Sequence, residues 1–175
     1  YKLVWKKRGH SSVASPYVKQ TPDGLVISRL RPSDQGIYTC VATNVGGTTE
    51  HHIKLLVQQK PRIVITSLPE FTTDNNQGVM HRRILFKKND RIRLLCQGDG
   101  HPRPFVFWTK NGEDFRKVDR TVRVMGGRVQ FYRAKESDAG VYVCEGRNSA
   151  GKVQERVFLE FMEPPRILKT FNSSS

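Results

Sequence analysis

The 175-residue chain has no apolar run approaching the roughly 18 residues that a bilayer crossing takes, so we predict no transmembrane segment within it. Its five histidines are scattered, and no two of them form the HExxH or HxxxH spacing of a zinc site. Gly126-Gly127 indicates a hairpin turn and not a phosphate loop. We therefore predict that the chain is not an enzyme and has no metal and no cofactor.

Acidic residues are also few, which leaves a strong excess of positive charge. Thirty Lys and Arg residues stand against sixteen Asp and Glu, giving a formal net charge of +14. A field of this size attracts polyanions: heparan sulfate, nucleic acid, an acidic membrane surface or an acidic protein. Nucleic acid ranks lower among these, because non-specific binding would need stacking aromatic side chains as well and only Tyr132 is obviously placed for that. We therefore predict no specific nucleic-acid partner.

A repeat of domain size organises the chain. The segment ESDAGVYVCEGRNSAG at residues 136–151 has a near copy, PSDQGIYTCVATNVGG, 104 positions earlier. The shared positions are Asp34, Gly36, Tyr38, Cys40, Asn44 and Gly47, which recur as Asp138, Gly140, Tyr142, Cys144, Asn148 and Gly151. A repeat at this interval predicts two domains in tandem.

Alternation within the later copy predicts a β-strand with one buried face. Tyr142 and Cys144 point to the same side of this strand, because side chains alternate with a period of two. Upstream, Cys96 precedes Trp108 by twelve positions, and Trp108 precedes Cys144 by 36. The strand thus offers an aromatic ring and a sulfur to a core.

An aspartate lies in the turn before this strand in both copies. Because Asp34 and Asp138 occupy equivalent positions, we expect a structural role for them and not a catalytic one. For Asp138 we expect either a cap on the turn or an ion pair with a basic residue near Arg120 or Arg123.

These spacings resemble the immunoglobulin superfamily, and in particular its intermediate set (I-set), in which an NxxG turn follows the second cysteine. The resemblance implies an all-β fold: two tandem immunoglobulin-like Greek-key β-sandwiches, the first lacking its N-terminal strands. It also implies a disulfide between Cys96 and Cys144, with Trp108 packed against it and Tyr142 forming a tyrosine corner. These are scaffold residues.

The same resemblance assigns equivalents in the first domain. Trp5 corresponds to the core tryptophan and Tyr38 to the corner tyrosine. Cys40 corresponds to the second cysteine, and the resemblance implies that it pairs with a cysteine outside this sequence.

The predicted boundaries follow from the repeat: a partial domain at 1–57, a short linker at 58–61, a complete domain at 62–162, and a linker or the start of a third domain at 163–175. The last assignment rests on Pro165, Arg166, Ile167 and Thr170, which repeat Pro61, Arg62, Ile63 and Thr66. The chain between the first strand of the second domain and Cys96 is longer than the fold requires, and residues 67–82 account for the extra length. Their proline, glycine and asparagine content predicts an inserted loop, which is either functional or disordered.

One basic constellation is a candidate binding surface. In the implied sandwich, strands one, two, five and four share a sheet, so their outward side chains form one surface. The candidate polyanion-binding residues are Arg82, Arg83, Lys87, Lys88, Arg91, Arg93, Arg123 and Arg128. Guanidinium groups form paired hydrogen bonds with oxyanions such as sulfate. Charge on an exposed sheet also serves solubility and protects edges, which is the alternative interpretation.

The resemblance implies a non-enzymatic extracellular recognition or adhesion module from a larger protein. Disulfide use indicates an oxidising compartment, and Asn172 begins an N-glycosylation acceptor triplet. The expected partner is a protein, with heparan sulfate as a co-ligand, and a homodimer is compatible with the sequence. Two alternatives stay open: an intracellular muscle or cytoskeletal scaffold, and the ectodomain part of a receptor kinase or phosphatase.

Overall fold

The computed structural model describes residues 2–76, 79–116 and 120–165. The chain divides into two compact units, unit 1 at Tyr1–Lys60 and unit 2 at Pro61–Ser175. Both units are built from β-strands, with short 3-10 turns at Pro32–Asp34 and Glu136–Asp138. The all-β expectation is confirmed.

Unit 1 contains five strands among its described residues. They are β1 (Lys2–Lys7), β2 (Val18–Thr21), β3 (Gly24–Ile27), β4 (Gly36–Asn44) and β5 (Gly47–Leu55). β1, β4 and β5 form an antiparallel sheet, while β2 and β3 form a separate hairpin. Trp5 of β1 lies directly opposite Cys40 of β4.

The described residues of unit 2, together with Gln59 and Lys60 at the start of its first strand, form two sheets. Their described strands are β6 (Gln59–Leu68), β7 (Thr72–Asn76), β8 (Val79–Phe86), β9 (Ile92–His101), β10 (Phe105–Lys110), β11 (Glu113–Asp114), β12 (Val122–Met125), β13 (Arg128–Phe131), β14 (Gly140–Asn148) and β15 (Gly151–Phe161). A six-stranded sheet has the order β11-β10-β14-β15-β8-β7, and a four-stranded sheet has the order β12-β13-β9-β6.

The core of unit 2 lies between the inward faces of these two sheets. On β9, buried Ile92, Leu94 and Cys96 alternate with Arg93 and Leu95, as the period of a half-buried strand requires. The opposing sheet contributes inward residues that are equally buried; they are Trp108, Tyr142, Cys144, Val157 and Leu159.

The implied disulfide is present at the centre of this core. Cys96 and Cys144 are bonded, and Trp108, which is directly opposite Cys144 in the sheet, is only 1% exposed. The indole Nε1 donates a hydrogen bond of 2.7 Å to the carbonyl oxygen of Gly127. A side chain at Gly127 is excluded, because its Cβ would lie 2.1 Å from the carbonyl oxygen of Cys96.

The predicted domain boundaries stay a prediction. β6 begins at Gln59, within the predicted linker at 58–61, and the two compact units divide between Lys60 and Pro61. The predicted loop at 67–82 is wrong over most of its length: residues 72–76 and 79–82 lie in the antiparallel hairpin of β7 and β8. The physical reason is that β8 pairs in parallel with β15, which gives a weakly strand-forming segment a sheet edge to join.

Residues 166–175 lie outside the described part of the chain. The repeated motif at Arg166, Ile167 and Thr170 and the acceptor Asn172 therefore stay predictions.

Candidate functional site

The outward side of the four-stranded sheet of unit 2 brings three of the predicted arginines together. Arg123 on β12 lies opposite Gln130 on β13, which in turn lies opposite Arg93 on β9. Arg93 Nε donates a 3.1 Å hydrogen bond to Gln130 Oε1. Since neighbouring strands are about 4.8 Å apart, the backbones of Arg93 and Arg123 are separated by about 10 Å.

A second cross-strand row lies beside the first. Arg128 on β13 is opposite Leu95 on one side and Met125 on the other. Arg128 and Met125 are exposed, and Leu95 is half-buried, so the charged rows include apolar side chains. The three arginines Arg93, Arg123 and Arg128 thus form an exposed triangle, which we call the arginine triangle.

Sequence reasoning missed two members of this surface. Gln130 bridges the first row through its hydrogen bond to Arg93. Arg62 is an exposed arginine on the outward side of β6, where it alternates with the buried Pro61. The same period-two alternation that identified Arg93 would have identified both residues.

The basic residues before β9 lie in a turn and not on the sheet. Lys87, Lys88 and Arg91 are all exposed, and Asn89 adopts a left-handed conformation with φ of 70°. The backbone N–H of Lys87 donates to Asp90 Oδ2 at 2.8 Å. A carboxylate therefore stands among these three cations and reduces the positive potential of the turn.

Arg82 and Arg83 are not part of this surface, contrary to the expectation that they lie beside the other cations. Both belong to β8, which is in the six-stranded sheet. Arg82 forms a 3.1 Å ion pair with Glu155, and Arg83 forms a 3.6 Å ion pair with Glu160. Both arginines are thus paired with glutamates on β15 of the six-stranded sheet. The candidate surface on the four-stranded sheet is therefore smaller than the sequence predicted.

The turn before β14 shows what Asp138 does. Its side chain is buried, and Oδ2 accepts a 3.0 Å hydrogen bond from the backbone N–H of Lys135. Its own backbone carbonyl accepts a 2.7 Å hydrogen bond from the hydroxyl of Tyr142. Burial, followed by the negative charge of Asp138, raises the pKa of the Tyr142 hydroxyl above its ordinary value. Of the two roles that we expected for Asp138, the structure shows the turn cap.

The described residues offer little else that could carry chemistry. They include no group of three or more His, Cys, Asp or Glu side chains arranged to hold a metal ion. Within the same residues, no helix has the length and apolar character that a membrane span requires.

Comparisons with known proteins agree with this scaffold. Residues 1–57 and 77–161 match the family described as Immunoglobulin I-set domain. Hemicentin-1 of Mus musculus is 32% identical over 169 residues, which is 94% of this chain and 3% of hemicentin-1. Neuronal cell adhesion molecule of Rattus norvegicus is 25% identical over 175 residues, which is 98% of this chain and 13% of that protein.

Among solved structures, the extracellular domains 3–5 of Drosophila OTK have a similar fold. The TM-score is 0.60 at 23% sequence identity, and the match covers 93% of this chain and 52% of that structure. The chain therefore corresponds to a small part of the length of the two relatives and about half of this structure.

Proposed function

This chain belongs to the immunoglobulin I-set family, and we propose that it acts as a non-enzymatic extracellular recognition module of a multi-domain adhesion or matrix protein. Support comes from the disulfide between Cys96 and Cys144, since such bridges persist in oxidising compartments. A relative named as a cell adhesion molecule aligns with nearly the whole chain. Its partners in this role are proteins.

The compartment has a direct test that separates this proposal from an intracellular scaffold. Protein purified from its native source is alkylated under denaturing, non-reducing conditions, and its peptides are mapped. We expect Cys96 and Cys144 to be unmodified and joined. Alkylation of both residues in most molecules would indicate a reducing compartment and contradict the proposal.

We further propose that the module binds heparan sulfate as a co-ligand through the arginine triangle. The observation that carries this proposal is the cross-strand row in which Arg123 and Arg93 flank Gln130, with Arg128 one row away. Three exposed guanidinium groups on a flat surface can contact successive sulfate groups of an extended polysaccharide, because guanidinium donates paired hydrogen bonds to oxyanions. The net charge of +14 adds long-range attraction.

Heparin affinity chromatography tests the glycan proposal. Replacing Arg93, Arg123 and Arg128 with Ser should move elution to clearly lower salt, because ionic contacts between exposed groups are screened. The matched control replaces three exposed cations elsewhere, Lys19, Lys54 and Arg156, and removes the same charge. Equal shifts for both variants would mean that only net charge matters and would remove the arginine triangle as a site.

A further inference from the structure

The outward side of the six-stranded sheet carries an aromatic cluster that the proposed glycan surface does not use. Phe105 on β10 is 64% exposed, and its ring stacks on Phe107 with centroids 5.6 Å apart. Across the sheet, Phe105 lies opposite Arg147 on β14, and Arg147 lies opposite Lys152 on β15. A large exposed aromatic side chain thus has two cations in its row.

Two positions before Arg147 on β14, the buried carboxylate of Glu145 orients the arginine side chain. Glu145 lies between Phe107 and Gln154 in the sheet, and it is only 4% exposed although it points outward. Arg147 Nε donates to one carboxylate oxygen, and Gln154 Nε2 donates to the other. Both oxygens are therefore satisfied within the sheet.

This arrangement holds the guanidinium group of Arg147 over an aromatic ring. The Arg147 Cζ atom is 5.3 Å from the centroid of Phe107, while 58% of the Arg147 side chain stays exposed. An arginine that is fixed by an ion pair and a ring loses less conformational entropy when it binds a partner. Exposed aromatic residues and arginines are also the side chains that contribute most at protein interfaces.

We propose that Phe105, Phe107, Arg147 and Lys152, here called the Phe105 patch, dock a protein segment in which an apolar side chain lies beside aspartate or glutamate. The apolar side chain contacts Phe105, and the carboxylate pairs with Lys152 and with the Arg147 amino groups that Glu145 leaves available. This inference rests on the proposed recognition role and adds a surface and a partner chemistry to it.

Charge selects this occupant over a second copy of the chain. Glu145 is paired with Arg147, and Asp114, which lies beside Phe105 and Phe107, is paired with Arg116. Lys152, opposite Arg147 in the sheet, therefore adds a net positive charge to this surface. Two copies would bring molecules of net charge +14 together, and their mutual repulsion opposes dimerisation. An acidic protein segment, in contrast, is attracted by this positive charge.

Peptide selection with a random phage-displayed library tests the proposal on the full chain. Wild type serves as bait after depletion on Phe105→Ser, and selected peptides are then synthesised. We expect them to combine acidic with aromatic or aliphatic residues and to bind Phe105→Ser about 30-fold or more weakly, as for loss of a hot-spot residue. Arg147→Lys, which keeps the charge but loses the planar group, should also weaken binding. Val64→Ser, at an equally exposed apolar residue on the other sheet (62%), should not.

Three outcomes would overturn the inference. The first is that no peptide prefers wild type over Phe105→Ser; the second is that the selected peptides are basic or uncharged. The third is a wild-type dimer in sedimentation equilibrium that Phe105→Ser dissociates, which would make a second copy the occupant. Heparin elution and the native cysteine state are independent of Phe105, so the inference can fail while the proposed function stands.

Discussion

The two units contain the same tyrosine corner with nearly identical geometry. In unit 1 the hydroxyl of Tyr38 donates to the carbonyl oxygen of Asp34 at 2.7 Å. In unit 2 the hydroxyl of Tyr142 donates to the carbonyl oxygen of Asp138, also at 2.7 Å. The aspartate side chains cap the two turns in the same way, each accepting a backbone N–H three residues earlier.

A lysine completes the corner in both units. Lys7 Nζ donates to the carbonyl oxygen of Ser33 at 2.6 Å, and Lys110 Nζ donates to that of Ser137 at 2.6 Å. Each ammonium group also lies 5.6 Å from the centroid of the corner tyrosine ring. Both lysines come two positions after the tryptophan, so the motif includes a residue that we did not single out from the sequence.

The indole and sulfur environments differ between the units. Trp108 is fully buried and donates to Gly127, whereas the buried Nε1 of Trp5 has no hydrogen-bond partner among the residues that the structure describes. Cys144 is in a disulfide, whereas Cys40 is a free thiol in this chain. The corner therefore forms from one turn and two neighbouring strands in both units, whereas the surroundings of the tryptophan and of the second cysteine differ.

The disulfide is the largest difference between the units, and removing it should have the largest effect. Replacing Cys96 and Cys144 with Ala should lower the free energy of unfolding of unit 2 by about 4 kcal/mol, the chain-entropy value for the loop of 48 residues. Urea denaturation followed by Trp108 fluorescence in a Trp5→Phe background measures this change.

Cys40→Ala is the matched control, because it removes a sulfur that forms no bridge in this chain. It should leave that unfolding curve unchanged. If the variant without Cys96 and Cys144 loses as little free energy of unfolding in unit 2 as Cys40→Ala does, the disulfide contributes little to the stability of that unit.

The indole hydrogen bond should give the next largest difference. Trp108→Phe removes the donor to Gly127 and leaves space in a packed core, so we expect a loss of about 2 kcal/mol in unit 2. Trp5→Phe should cost unit 1 less than about 1 kcal/mol, because no hydrogen bond is lost. Native-state hydrogen exchange of amides in β14 and β4 measures both without tryptophan fluorescence. Equal losses would show that the two indoles contribute alike despite their different surroundings.

Local periodicity explains why much of the fold could be predicted. The alternation around Cys144 determines which side chains face inward, and the predicted core residues Trp108, Tyr142 and Cys144 are all almost fully buried. The same alternation located Arg93, Arg123 and Arg128, the part of the candidate surface that lies on one sheet face. These features depend only on residues a few positions apart.

Pairing between distant strands explains what could not be predicted. Nothing in the sequence of Arg82 and Arg83 says that β8 pairs with β15, more than 70 positions later, so these residues were assigned to the wrong sheet. The composition of residues 72–76 favours turns, yet the segment forms the outermost strand because β8 supplies a partner. The burial of Glu145 likewise depends on Gln154 and Phe107 in neighbouring strands.

The tyrosine corners should give a smaller and similar effect in both units. Tyr38→Phe and Tyr142→Phe each remove one hydrogen bond to a backbone carbonyl, which typically contributes about 1 kcal/mol. We expect the two losses to agree within about 0.5 kcal/mol when each is followed by hydrogen exchange in its own unit. A loss confined to Tyr142 would mean that the corner depends on the completed core and is not encoded locally.

Alkaline pH should reveal the same hydrogen bond through proton linkage. Burial and the nearby Asp138 raise the pKa of Tyr142 above its ordinary value of 10.0, so the folded state keeps its proton when the unfolded state has lost it. The stabilisation is fully present below pH 10 and declines above it. At half a pH unit above 10, the difference in free energy of unfolding between wild type and Tyr142→Phe should be about 0.8 kcal/mol smaller than at neutral pH. Urea denaturation of wild type and Tyr142→Phe at several pH values measures this. If that difference in free energy of unfolding stays constant or grows above pH 10, the pKa of Tyr142 is not raised in the folded state.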